Sequence, residues 1–210
     1  VKLYEKSNEL GGVFIAASAP SFKEKDRDLI QWYRRELTKY PIEVYLNTEI
    51  SDINQLNADE VIIATGAIAN KLPVVGSKYS MEAIDYLLER QSVKEKVVVV
   101  GGGLTGCEIA YDLYLQGKNP TIVEMMDDLI VTKGVCLANT SYLRDFFETN
   151  QVPVHLETGL TEVLEDGVIE IYSAAFEGCS SLISVKLAPS ISFVGTNAFK
   201  DCNNILEVYD

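Results

Sequence analysis

VVVVGGGLTGCEIA, residues 97–110, is the stretch on which the fold turns. Four consecutive valines suit a central strand buried in a parallel sheet. Gly101, Gly102 and Gly103 follow at once, then Leu104, Thr105 and Gly106. They contain G-x-G-x-x-G, a weak pattern alone but an informative one where it leaves a strand and opens a helix. The glycines have separate duties in that setting. Gly101 permits the tight turn, Gly103 lets the backbone approach a pyrophosphate, and Gly106 lets the helix lie close to the strand. The helix N-terminus adds unpaired N–H groups and partial positive charge for phosphate. A glycine-rich loop with no ligand is the competing reading.

Leu104–Leu115 is the expected helix, with Gly117 at its C-terminal cap. Thr121–Glu124 is the next strand. Glu124 closes it 21 positions after Gly103. A carboxylate there accepts hydrogen bonds from a ribose 2′-OH and repels a 2′-phosphate. Met125, Met126, Asp127 and Asp128 follow, with no Lys or Arg among them. The expectation is NAD(H) in preference to NADP(H); a solvated strand-end carboxylate is the alternative. Residues 97–124 therefore read as the βαβ unit of a Rossmann-type domain.

Further out, Leu137–Thr149 is expected to be helical and Val152–Leu156 extended. Residues 1–5 alternate apolar and polar side chains and end on Glu5, a strand signal. Gly11-Gly12 breaks the chain. Residues 22–40 carry Phe22, Leu29, Ile30, Trp32, Tyr33 and Leu37 near helical spacing, and Pro41 ends that helix. Ile42–Leu46 is a short strand. Val61-Ile62-Ile63-Ala64, closed by Thr65-Gly66, suits a buried parallel strand. Residues 81–90 form a helix with Ile84, Leu87 and Leu88 on one side. Strands alternating with helices predict a parallel α/β sheet. Glu5 looks like the ribose-binding acid of a second nucleotide site, with a plain surface glutamate as the alternative.

The tail changes character. Residues 174–186 read AAFEGCSSLISVK and residues 197–208 read NAFKDCNNILEV. Ala175 and Ala198, Phe176 and Phe199, Cys179 and Cys202, Leu182 and Ile205, and Val185 and Val208 each stand 23 positions apart. A fixed period in the 20s with recurring apolar positions is the signature of a leucine-rich solenoid.

Composition narrows the classes. The 210 residues are 47% hydrophobic and carry a formal charge of −13. Such a surface repels phosphate backbones, which argues against nucleic acid and anionic membrane as partners. No run of about 18 apolar residues is present, the length a membrane span requires. The N-terminal Val1-Lys2-Leu3-Tyr4-Glu5 lacks the pattern of a signal peptide and reads as the interior of a strand, so the chain is expected to be a fragment. Four cysteines without a C-x-x-C pair fit a reducing, cytoplasmic setting. Cys107 is expected to pack in the core. Cys179 and Cys202 are expected to stack as buried thiols, with a disulfide or metal as the lesser alternative. His155, the only histidine, reads as structural or surface.

Two resemblances emerge from these motifs. LYEKSNELGG (3–12), VIIATG (61–66) and VVVVGGGLTGCEIA (97–110) resemble the FAD/NAD(P)-binding region of the old-yellow-enzyme-related flavoproteins, which include 2,4-dienoyl-CoA reductase, 2-enoate reductase and NADH:flavin oxidoreductases. The resemblance covers residues 1 to about 165. It implies an NAD(P) domain inserted within an FAD domain. It places Glu5, Gly11, Gly12, Ala64, Thr65 and Gly66 at FAD, and Gly101, Gly103, Gly106 and Glu124 at NAD(H). Glu108, matching G-G-G-x-x-G-x-E, would lie near the nicotinamide. The family's FMN barrel, its cluster cysteines and its first FAD glycine motif are not found in these residues, so the flavin site is expected to be incomplete. The tail is similar to a BspA-type leucine-rich repeat, with Pro189 in the link between copies. The implied organisation is a partial FAD-binding domain (1–75), an NAD(H)-binding Rossmann domain (76–168) and two repeats (169–210). The implied function is hydride transfer from NADH to FAD. The alternatives are a non-catalytic nucleotide-binding relic and a tail that binds a protein partner.

Overall fold

A computed structural model describes residues 1–71, 73–89, 91–131, 134–160, 162–165, 179, 184–186, 198–204 and 207–209. The chain divides into two compact units, residues 1–70 with 84–90, and residues 71–83 with 91–210.

The first unit contains β1 (Lys2–Tyr4), α1 (Val13–Ala17), α2 (Glu24–Leu37) and β2 (Glu43–Tyr45). Parallel neighbours need a crossover, and α1 with α2 supplies it. β1 and β2 pair in parallel with Leu3 opposite Val44. Tyr4 stacks on Tyr45 with ring centroids 5.1 Å apart. α2 holds Glu24 and Asp26 in its first turn and Arg34 and Arg35 in its last. Both placements oppose the helix dipole favourably. Ile30 and Ala16 are buried. α3 (Ala83–Leu87) falls inside the expected 81–90 segment and is shorter than it.

The expected strand at Val61–Ala64 does not form: these residues have no regular structure, and Ile62 is 90% exposed. A parallel strand is held by its neighbour's backbone groups. Here β1 and β2 pair only with each other among the described strands, so no strand edge receives residues 61–64.

The second unit is built on β3 (Lys96–Val100), α4 (Leu104–Leu115), β4 (Asn119–Val123), α5 (Leu137–Thr149) and β5 (Val154–His155). The sheet is parallel, in the order β3-β4-β5. Val99 stands opposite Ile122, and Ile122 opposite Val154. Both helices have the bounds expected from sequence. α4 stops in a Schellman arrangement: the Lys118 N–H donates to the Leu113 carbonyl at 3.0 Å and the Gly117 N–H to the Tyr114 carbonyl at 2.9 Å.

Both crossovers advance across the sheet in one direction. Right-handed connections then place α4 and α5 on the same face. Val99 and Ile122 are buried, along with Cys107, Leu113, Leu143 and Phe147. Phe146 joins the helices, its ring 4.6 Å from Tyr111 and 5.2 Å from Tyr114, both edge to face. The opposite sheet face is more open, with Val98 and Val100 each 43% exposed. The valine run is therefore not the central buried strand expected from its composition. Among the described strands β3 stands at the edge, and an unbroken apolar run does not reveal whether both its faces are covered.

Beyond this sheet, β6 (Ser184–Lys186) and β7 (Glu207–Tyr209) pair in parallel, Val185 opposite Val208. Their partners thus stand 23 positions apart, the period of the tail's sequence similarity. Ala198 and Cys202 are buried, and Cys179 is partly so. The expected repeat positions Ala175, Phe176, Leu182, Pro189 and Ile205 lie outside the described residues. Among the described residues, no helix is long and apolar enough to cross a membrane.

Leu113 is fully enclosed, so Leu113→Ala is expected to cost about 2–5 kcal/mol. Val98→Ala, on the open face, is expected to cost less than about 1.5 kcal/mol. Urea unfolding of both variants checks this; equal losses would show that the second face is covered.

Candidate functional site

The turn between β3 and α4 rests on glycines with different tasks. Gly101 has φ +103°, a conformation that side chains rarely adopt, and its N–H donates to the Val123 carbonyl at 2.8 Å. A Cβ on Gly106 would stand 1.9 Å from the Gly101 carbonyl oxygen. α4 therefore approaches the end of β3 as closely as backbone allows. Gly103 is the N-cap residue of α4, and no side chain caps that end. The first N–H groups of a helix have no partner within it, so an external acceptor can take them. Gly103 is exposed, and a Cβ there would meet nothing within 4 Å. The space in front of the turn is open.

Glu124 follows β4, and its carboxylate turns back onto the glycines. Its Oε2 accepts the Gly102 N–H at 2.5 Å and its Oε1 the Met126 N–H at 2.7 Å. Charge-assisted bonds of this kind hold a carboxylate firmly. The Glu124 N–H donates to the His155 carbonyl at 2.8 Å, so β5 contributes backbone here. The Ile130 N–H returns to the Gly102 carbonyl at 2.8 Å. A Cβ on Gly102 would fall 2.5 Å from Leu129 Cδ2. The resulting cleft of about 310 Å³ is walled by Gly102, Gly103, Glu124, Met126 and Asp128, with Ile130 and Val131. Leu104 is half-buried and Thr105 exposed at the start of α4; Glu108 is half-buried on the same helix.

Sequence reading missed two features of this cleft. One is the tight packing of Gly102 under Leu129, which no spacing rule announces. The other is Arg144 on α5, whose Nε and Nη2 donate to Asp128 at 3.1 and 2.9 Å. Arg144 also donates to the Leu129 carbonyl. Those hydrogen bonds, helped by the Leu129 N–H, hold the Asp128 carboxyl below its ordinary range. Cys107 is core: its thiol is enclosed, donates to the Gly102 carbonyl at 3.3 Å, and is pushed up to about 12 by burial. A thiol so rarely ionised is a poor nucleophile.

In the first unit, Glu5 follows β1. Its Oε1 accepts both the N–H and the hydroxyl of Ser7 at 2.8 Å, which lowers the carboxyl's pKa. Gly11 and Gly12 lead directly into α1. Two arginines one heptad apart on α2 hold the surrounding turns, so they share a helix face. Arg34 Nε donates to the Leu10 carbonyl at 2.8 Å, and its Nη2 pairs with Glu9 at 2.7 Å. Arg27 Nη1 donates to the carbonyls of Ser18 and Pro20, each at 2.7 Å. Ala64, Thr65 and Gly66 are exposed and without regular structure. Of these residues, Glu5, Gly11 and Gly12 share a strand–turn–helix frame.

A strand, an uncapped helix start and a fixed carboxylate around one cleft invite comparison with known proteins. The family model described as pyridine nucleotide-disulphide oxidoreductase matches residues 44–187. The chain belongs to this family. It is 38% identical over 172 residues to a cinnamate reductase of Clostridium sporogenes, covering 80% of this chain and 26% of that protein. It is 33% identical over 181 residues to an NADH oxidase of Thermoanaerobacter brockii, covering 81% and 27%. The chain thus spans about a quarter of the length of these relatives. A 2-naphthoyl-CoA reductase structure superposes with a TM-score of 0.71 at 24% identity, over 80% of this chain and 26% of that one. That likeness is one of fold.

Two outcomes follow from the geometry. Gly106→Ala forces backbone apart and is expected to lower the melting temperature by several degrees, whereas Gly103→Ala leaves it nearly unchanged; thermal melts of both variants check the contrast. The depressed Asp128 carboxyl contributes stability that is present above about pH 4 and lost as pH falls through its folded-state value. Arg144→Ala should flatten that part of the acid limb of a pH–stability curve, by about 0.2–1 kcal/mol since the pair is partly exposed.

Proposed function

We propose that β3–α4–β4 binds NAD(H) as the pyridine-nucleotide module of a flavin-dependent oxidoreductase. The observation that carries this is the Glu124 carboxylate, held by two backbone N–H groups at the wall of an open cleft in front of an uncapped helix. The pyrophosphate lies across Gly101, Gly102 and Gly103 and the first-turn N–H groups of Leu104, Thr105 and Gly106. Gly103 keeps that approach clear. Glu124 accepts from the adenosine ribose and disfavours a 2′-phosphate, so NADH is preferred over NADPH. Glu108, one turn into α4, faces the nicotinamide end; the motif resemblance supports this role. When bound, NADH supplies a hydride, and the chain's own task is to align and shield it.

The parent enzymes are of the old-yellow-enzyme-related kind. The motif order supports this, and so do the names of the relatives, a cinnamate reductase and an NADH oxidase. Glu5, Gly11, Gly12, Ala64, Thr65 and Gly66 belong to an FAD site in that setting. Exposure of residues 61–66 favours a second reading beside it, nucleotide binding without turnover. The tail reads as two leucine-rich repeats offering a surface to a protein partner, supported by the 23-residue offset between β6 and β7.

Fluorescence titration of the whole chain tests the nucleotide reading. NADH is expected to bind at least about fivefold more tightly than NADPH, the effect of one fixed charge beside a phosphate. Glu124→Gln narrows that ratio. Equal or tighter NADPH binding overturns the preference. Visible absorbance at flavin wavelengths that NADH bleaches supports turnover, and NADH binding without colour supports the second reading.

A further inference from the structure

Asp128 walls the same cleft as Glu124, and both its carboxylate oxygens are engaged. Oδ1 accepts from Arg144 Nε at 3.1 Å and from the Leu129 N–H at 2.7 Å; Oδ2 accepts from Arg144 Nη2 at 2.9 Å. Among the described residues, no lysine or arginine lines the cleft. Arg144, on α5, reaches one wall of it through its bonds to Asp128. A guanidinium forks onto carboxylate and phosphate with the same geometry. The Arg144 guanidinium, which could receive a phosphate at this rim, is therefore committed to a carboxylate of the chain itself.

We propose that Asp128 is a specificity-determining residue for the pyridine nucleotide: it holds Arg144 and keeps that guanidinium from a ribose 2′-phosphate at the rim beyond Glu124. This rests on the reading that the cleft takes the adenosine end of NAD(H). Glu124 selects by repelling the phosphate. Asp128 selects by removing its natural counter-charge and adding a second negative one. A purely structural role fits less well. The 125–131 loop is already fixed to the glycine turn by the Ile130–Gly102 bond and to Glu124 through Met126, without the ion pair. The pair is also partly exposed, with side chains 34% and 55% accessible for Arg144 and Asp128, where ion pairs contribute little to folding.

The test is the ratio of dissociation constants, NADPH over NADH, in the full chain. Asp128→Asn and Asp128→Ser each remove a charge and the ion pair, leaving Arg144 its bond to the Leu129 carbonyl, and are expected to lower the ratio about fivefold or more. Arg144→Ala leaves Asp128 uncompensated and is expected to raise it. Combining Asp128→Asn with Arg144→Ala is expected to return the ratio toward the wild-type value, because the gain requires the guanidinium. A ratio within twofold of wild type in both Asp128 variants, with NADH binding intact in the wild-type chain, overturns the proposal and leaves the nucleotide site standing. A wild-type chain that binds neither nucleotide overturns the site itself, and this inference with it.

Discussion

The Gly106–Gly101 contact is the constraint on which the second unit depends. α4 can start where it does only because nothing separates its backbone from the first carbonyl of the turn after β3. That approach sets which way the first-turn N–H groups point. It also brings α4, with the buried Cys107 and Leu113, against β4, tying the cleft's geometry to the core's packing. The second constraint follows from the first. Gly102, carried by the same turn, is gripped from three sides: Glu124 takes its N–H, Ile130 takes its carbonyl, and Leu129 fills the place of its missing side chain. The strand end, the glycine turn and the 125–131 loop therefore behave as one piece. A nucleotide arriving there meets a surface already arranged, which lowers the ordering cost of binding.

Much of this was legible because the signals were local. The bounds of α4 and α5 follow from apolar spacing and from Gly117, since helix period and cap chemistry are written within a dozen residues. The glycine turn and Glu124 were legible because their spacing is geometrically fixed. What failed was burial. Val97–Val100 and Val61–Ala64 look alike as apolar runs, yet one forms a strand with Val98 and Val100 exposed and the other forms no strand. An apolar run records that a partner is wanted, and only the folded chain shows whether one stands there. Arg27, Arg34 and Arg144 were missed for a related reason: a charged residue on a helix reads as solvated surface until the carbonyl or carboxylate it holds is seen.

Both units use cations in the same way. In the first, Arg27 and Arg34 close the turns before α1 and α2 by binding backbone carbonyls and Glu9. In the second, Arg144 binds Asp128 and the Leu129 carbonyl. Each replaces the water that a bent backbone would otherwise need. In a chain of net charge −13, such committed cations leave the remaining surface strongly anionic.

The enclosure of Cys107 has a practical consequence. Cys136 stands exposed while Cys107 is sealed beneath the glycine turn. An alkylating reagent would therefore label the first at once and reach the second only when α4 lifts from the sheet. The delay between the two modifications reads out how often that helix opens, using thiols the chain already carries.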